Sequence, residues 1–235
     1  SVAVHNHYKR LASELNIGDN KLNQFSSSDL DGVEIEKSNV LLIGPTGSGK
    51  TTTLYSTLNK LESPDVNIVT VEDPIEYDLD NINQAQINAK SGVTFASALK
   101  SILRQDPDII MVGEVRDEET VELGIRAALT GHLVFSTVHT NDAASGFTRL
   151  LNWNVEPFLI ASTVKGILAQ RLVRRVCKEC RQPYDAGEEE LKMIGLEPQD
   201  SFKAYRGKGC LACRNTGFKG RIGIYELLLV DAEIS

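Results

Sequence analysis

The sequence predicts an α/β protein with a parallel, doubly wound sheet, followed by a small module that holds all of the cysteines. This prediction rests on three observations. Short apolar strands alternate with amphipathic helices, a glycine-rich turn joins the first strand to the first helix, and the four cysteines all follow residue 174. In sheets of this kind, ligands bind outside the carboxyl ends of the strands. Functional residues are therefore expected where the strands end.

The periodicity of apolar residues locates the elements. Apolar runs predict strands at residues 40–43 and 109–112, and the mostly apolar segments 67–71 and 132–137 are interpreted as two further strands. Helical spacing predicts helices from residue 51 to the break at 63–65, and at 95–103, 118–129 and 157–173. The segment after residue 174 has no long periodic stretch, which predicts a domain boundary there.

Composition restricts the class of protein. Of the 235 residues, 41% are apolar and 24% are charged, as in an ordinary folded protein. The net charge of −7 argues against a nucleic-acid binder, which needs a clustered basic surface. The sequence shows neither an apolar run of about 18 residues nor a signal peptide, so we expect a cytoplasmic protein without a transmembrane segment.

The glycine-rich turn has the pattern of a phosphate-binding P-loop, GPTGSGKT at residues 44–51. Backbone N–H groups and the helix N-terminus would face the phosphates, Lys50 would place its charge near the β and γ oxygens, and Thr51 would ligate magnesium. The alternative is an ordinary glycine-rich turn. The candidate residues for binding ATP and Mg²⁺ are Gly44, Pro45, Thr46, Gly47, Ser48, Gly49, Lys50, Thr51 and Thr52.

Two predicted strands end in acids. Glu114 follows the strand at 109–112 and fits the role of the acid that lies near magnesium, and Glu72 and Glu76 follow the strand at 67–71. One of the latter two could orient the attacking water. A single acid at a strand end is usually a solvated loop residue, but two such ends behind a P-loop favour a site.

A histidine lies at each end of the strand at 132–137. His139, at the carboxyl end, can reach a γ-phosphate as a hydrogen-bond donor. His132 lies at the opposite end, where a structural or interface role is equally well supported.

The cysteines form two C-x-x-C pairs, Cys177 with Cys180 and Cys210 with Cys213, separated by 29 residues. This spacing predicts one structural Zn²⁺ held by four thiolates. Two disulfides or four free thiols are the alternatives, and a reducing cytoplasm argues against the disulfides.

From residue 44 onward, the chain resembles the RecA-like ATPases of type II secretion and type IV pilus assembly. The matching segments are GPTGSGKTTTLY, NIVTVEDPIEY, LRQDPDIIMVGEVRD, TGHLVFSTVHTNDA and the two cysteine pairs. The resemblance implies that Glu76 is the general base, Glu114 the Walker B acid and His139 the γ-phosphate contact. It also implies a homo-hexamer that docks on inner-membrane secretion or pilus platform proteins and is peripheral at that membrane.

The first 43 residues suggest a different relationship. SVAVHNHYKRL and GVEIEKSNVLLIG resemble the AAA+ unfoldase of the Clp protease system, which implies an adenine contact at Val4 and His5 and a fusion of two P-loop proteins. We then expect weak turnover, because arginines of the motor family's N-terminal domain would be missing.

The expected organisation has four parts. An unfoldase-like segment covers residues 1–43, the ATPase core 44–174, the metal module 175–221 and a truncated C-terminal segment 222–235. The expected function is an ATP-hydrolysing motor core. The alternatives are an AAA+ unfoldase and a nucleotide-binding scaffold with weak or no turnover.

Overall fold

A computed structural model describes residues 39–193, residue 195 and residues 203–230. The chain forms two compact units, divided at residues 171/172 and 224/225. The core unit is described over residues 39–171 and 225–230, and the cysteine unit over 172–193, 195 and 203–224. The prediction that Val4 and His5 contact adenine lies outside the described residues, and the four-part domain organisation stays a prediction.

The core unit is built on a seven-stranded sheet with the order β3-β2-β4-β5-β1-β6-β9. β1 pairs in parallel with β5 and β6, β2 with β3 and β4, and β4 with β5. The carboxyl ends of these strands therefore meet at one edge. The strands span Asn39–Ile43 (β1), Ile68–Glu72 (β2), Asn83–Gln86 (β3), Ile109–Val112 (β4), Leu133–Val138 (β5), Val164–Val176 (β6) and Phe218–Leu229 (β9).

Helices cover both faces of this sheet, which explains why its strands β1, β2, β4 and β5 are wholly buried. Side chains of α1 pack on one face with alternate strand residues such as Val40 and Leu42, while α2 to α5 pack on the other face with Leu41 and Ile43. The helices are Lys50–Leu61 (α1), Phe95–Ile102 (α2), Glu118–Leu129 (α3), Ala143–Asn152 (α4) and Pro157–Thr163 (α5). The predicted α/β fold with a parallel sheet is confirmed.

The helix predicted over residues 157–173 is wrong in its second half. α5 ends at Thr163, and the chain continues directly as strand β6 from Val164. A continuous apolar run cannot distinguish a buried strand from a buried helix by its period. Pairing with β1 decides the outcome, because the register Leu41–Ile167 and Ile43–Ala169 places this run inside the sheet.

Apart from the end of β6 and the beginning of β9, which fall within it, the cysteine unit contains little regular structure. β7 (Arg181–Asp185) and β8 (Lys203–Gly207) form an antiparallel pair, α6 spans Glu188–Met193, and Leu211–Cys213 form a single 3₁₀ turn. Guanidinium groups stack on tyrosine rings along the pair, Arg206 over Tyr184 at 3.8 Å and Arg181 over Tyr205 at 5.2 Å.

Candidate functional site

The P-loop connects β1 to α1 at the carboxyl edge of the sheet. Gly47 and Gly49 have φ angles of 75° and 85°, a left-handed conformation in which a Cβ atom would be strained. Gly49 is the N-cap residue of α1, and no side chain caps the helix. The backbone N–H groups of the first turn, together with the helix dipole, therefore form a site suited to an anion.

Lys50 is buried and folds back on the loop itself. Its Nζ donates hydrogen bonds to the carbonyl oxygens of Gly44 at 2.6 Å and Pro45 at 3.1 Å. Burial lowers the pKa of Lys50, and the nearby carboxylate of Glu114 opposes this shift. Among the described residues, the Ser48 Oγ atom is one of the buried polar atoms that have no hydrogen-bond partner. A phosphate would supply an acceptor for the Ser48 hydroxyl and for the third N–H of Lys50, so the loop fits a nucleotide.

Glu114 and His139 come together beyond β4 and β5. The His139 Nε2 atom lies 2.8 Å from Glu114 Oε1, and Arg116 Nε lies 2.6 Å from Glu114 Oε2. Arg116 also lies 3.6 Å from Asp73, so it connects the ends of β4 and β2. A carboxylate, a ring nitrogen and a guanidinium therefore cluster beside Lys50, which is the group of charges that phosphoryl chemistry needs.

Glu72 is the last residue of β2 and is buried inside the core unit. Glu72 is only 2% exposed, and its carboxylate accepts hydrogen bonds from the hydroxyl of Tyr55, from Thr70 at 2.5 Å and from Gln84 at 3.0 Å. Burial and the bond to Glu72 raise the pKa of Tyr55 well above its ordinary value. Both carboxylate oxygens are thus occupied by protein donors, which suits a positioning role better than proton transfer.

Glu76 is exposed in the loop after β2. Its backbone N–H donates to the Tyr55 hydroxyl at 3.3 Å, so the loop is attached to α1. Thr51 lies in the first turn of α1, and Pro45, Thr46, Gly47 and Thr52 are exposed around the loop. His132, at the other end of β5, contacts the Ala127 carbonyl through Nδ1 at 2.8 Å and serves the local turn.

The four cysteine sulfurs form a second site, within the cysteine unit. All four Sγ atoms lie within 4.8 Å of one another, and the thiols are free. Cys177–Cys210 and Cys180–Cys213 are 3.9 Å apart and Cys210–Cys213 3.7 Å. Four sulfurs bound at ~2.3 Å around a tetrahedral zinc would be about 3.8 Å apart. The thiols are therefore already spaced for one zinc ion.

Backbone amides turn toward these sulfurs. The Gly209 N–H donates to Cys180 at 3.3 Å, and those of Cys210 and Gly217 donate to Cys213 at 3.2 and 3.3 Å. Burial favours the neutral thiol of Cys213, but the two amide donors favour the thiolate and lower its pKa. Close approach of Gly207 and Gly217 supports this arrangement, since a Cβ on Gly207 would lie 2.0 Å from the Gly217 oxygen.

Several residues around the nucleotide site were not identified from the sequence. Arg116 stands two residues after Glu114, Tyr55 is one turn into α1, and Gln170 is a polar residue in the apolar run of β6. Gln170 was the easiest of the three to notice in the sequence, because a buried amide in a central strand needs hydrogen-bond partners.

Three comparisons with known proteins agree with this geometry. The sequence model of the family described as "Type II/IV secretion system protein" matches residues 8–235. The type II secretion system ATPase E of Vibrio cholerae is 53% identical over 192 residues, which cover 82% of this chain and 38% of that protein. The type IV pilus assembly ATPase PilB of Thermus thermophilus is 53% identical over 196 residues, 83% of this chain and 22% of that protein.

Among solved structures, the pilus retraction motor PilT with bound ADP superposes with a TM-score of 0.62 at 32% identity, over 89% of this chain and 52% of that one. The Legionella pneumophila ATPase DotB has a TM-score of 0.61 at 26% identity, over 90% of this chain and 50% of that one. These likenesses confirm the RecA-like fold.

The comparisons also bear on the unfoldase resemblance. The family match begins at residue 8, so it includes most of the segment that suggested a fusion. The comparisons give no support to an AAA+ unfoldase. The chain spans less than two fifths of the length of each of these two curated relatives. The family match covers nearly all of the chain. The chain therefore belongs to the type II/IV secretion system protein family.

Proposed function

We propose that the chain binds Mg·ATP and hydrolyses it, as the nucleotide core of a motor for type II secretion or type IV pilus assembly. One observation carries the proposal. Lys50 of the P-loop, Glu114 after β4 and His139 after β5 meet at the carboxyl edge of one sheet, with 2.8 Å between the last two.

The P-loop residues would bind the phosphates. Amide groups of Gly47 and Gly49 would donate to the β-phosphate, and Lys50 would leave its two carbonyl partners for phosphate oxygens. Thr51 and Glu114 would hold magnesium, which neutralises charge on the β and γ oxygens. His139 would donate a hydrogen bond to the γ-phosphate.

Glu76 is the proposed proton acceptor for the attacking water. It is exposed, whereas the carboxylate of Glu72 is already bound by three donors. Glu76→Gln should keep nucleotide affinity and slow phosphate release by about 10²-fold. An unchanged rate would move the base elsewhere.

The four thiolates are proposed to hold one structural zinc ion, which the sulfur spacings near 3.8 Å support. Such a site has no open position for catalysis. Family membership further supports a homo-hexamer at an inner-membrane platform. Among the described residues, none of the helices is long and apolar enough to cross a bilayer.

The test is nucleotide binding and phosphate release at saturating Mg·ATP. We expect the parent chain to do both, Lys50→Ala to bind no nucleotide, and Glu114→Gln to bind without turnover. Lys60→Ala is the matched control, because Lys60 is exposed on the same helix. Binding without phosphate release by the parent would favour the scaffold alternative, and absence of binding would refute the proposal.

A further inference from the structure

Gln170 of β6 contacts the P-loop with both ends of its amide group. Its Nε2 atom donates to the Ser48 carbonyl at 2.9 Å, and its Oε1 atom accepts from the Thr53 hydroxyl at 2.8 Å. Gln170 is 3% exposed, Ser48 4% and Thr53 7%. The amide thus bridges the loop just before Lys50 and the first turn of α1 just after it.

The backbone of Gln170 also leaves no room for a side chain at the start of the loop. An added Cβ on Gly44 would lie 2.3 Å from the Gln170 carbonyl oxygen, and Gly44 has a φ of 150°. β1 and β6 are paired up to Ile43 and Ala169, so the two chains remain adjacent as the loop begins. One residue of β6 therefore contacts the P-loop at its beginning, near its end and in the helix that follows.

Peptide geometry connects this contact to phosphate binding. The bond between Ser48 and Gly49 is a planar unit in which the carbonyl and the N–H point in opposite directions. A hydrogen bond that fixes the Ser48 carbonyl on Gln170 therefore also fixes the direction of the Gly49 N–H. Gly49 is the N-cap of α1 and has no side-chain cap of its own. The Gln170 amide thus holds this end of the loop from outside.

We infer that Gln170 is a positioning residue of the nucleotide site, which holds the P-loop in its phosphate-binding conformation before nucleotide arrives. It touches no substrate itself. The inference rests on the proposed nucleotide binding. Without the Gln170 amide, the Ser48 carbonyl and the Thr53 hydroxyl lose buried partners, and the loop must be ordered when the nucleotide binds.

Two variants test the inference in the full chain. Gln170→Met keeps the length of the side chain but removes both hydrogen bonds, and Thr53→Val removes one of them. Thr57→Val is the matched control, because the buried Thr57 hydroxyl donates within the helix, to the Thr53 carbonyl at 2.9 Å. The first readout is the Kd for Mg·ADP, and the second is amide hydrogen exchange of residues 44–51 without nucleotide.

We expect Gln170→Met to raise the Kd by roughly tenfold, with Thr53→Val in between and Thr57→Val near the parent. Exchange of the loop amides should rise in the same order. A lower unfolding temperature with unchanged exchange and affinity would show a purely structural role and overturn the inference. If Gln170→Met fails to fold, the same Kd and the same loop exchange for Thr53→Val and Thr57→Val would overturn the inference. If the parent binds no nucleotide, the proposed function fails, and hydrogen exchange still decides the role of Gln170.

Discussion

The forces that stabilise the core unit internally differ from those that stabilise the cysteine unit. In the core unit, apolar side chains from β1, β2, β4, β5, β6 and five helices form two buried clusters, one on each face of the sheet. Among the described residues of the cysteine unit, the buried apolar side chains are Leu191 and the two thiols Cys177 and Cys213. Hydrophobic burial can stabilise the first unit but leaves little to stabilise the second.

The difference shows what each part of the sequence specifies. In the core unit, the pattern of apolar residues specifies the fold, and the strand ends then carry the chemistry. For the cysteine unit, we propose that the spacing of four thiols specifies the fold, because binding of a metal would supply the folding free energy that a core provides elsewhere.

Loss of one thiolate should have the largest effect. Cys210→Ser should release zinc and unfold the cysteine unit, since structural zinc contributes about 10–16 kcal/mol in small domains. Leu211→Ser is the control, because this neighbouring side chain is 92% exposed. Zinc content and limited proteolysis measure the result. A Cys210→Ser chain that remains protease-resistant after residue 172 would show that the unit has a sufficient core.

A cavity in the core unit should have the next largest effect, and that effect should be confined to the core unit. Leu99, on α2, is fully buried, and Leu99→Ala should lower the free energy of unfolding by about 2–5 kcal/mol. Leu151→Ala, at an exposed position of α4, should change it by less than about 0.5 kcal/mol. Urea unfolding and zinc content together check this prediction. Release of zinc from folded Leu99→Ala would mean that the two units share their stability.

The core unit was the more predictable of the two. Strands β1, β2, β4 and β5 are wholly buried and mostly apolar, and the P-loop and acids at their ends follow from the sequence alone. The strand β6 was mistaken for a helix, because its residues 164–170 are a nearly continuous buried run without a distinguishing period. The partners of Gln170 and Glu72 could not be predicted, since they lie on elements distant in the sequence, such as Ser48 and Gln84.

A single hydroxyl should have a smaller effect. Tyr55→Phe removes one donor to the buried Glu72 carboxylate, which should lower the free energy of unfolding of the core unit by about 1–3 kcal/mol. Phosphate release should also slow, because the loop that carries Glu76 loses its attachment to the Tyr55 hydroxyl. Tyr77→Phe is the control, since the exposed Tyr77 ring packs edge-on against Tyr55 at 4.7 Å. If Tyr55→Phe and Tyr77→Phe have the same free energy of unfolding and the same rate of phosphate release, Glu72 has no positioning role.

Nucleotide affinity before and after zinc removal tests the separation of the two units most directly. All the residues proposed to bind the phosphates precede residue 172, and all four thiols follow it. After chelation, we expect protease cleavage within residues 172–224 while the Kd for Mg·ADP, measured with a chelator that spares magnesium, stays within about twofold of its original value. A Kd that rises in proportion to the zinc lost would contradict the account, because the nucleotide site would then depend on the metal.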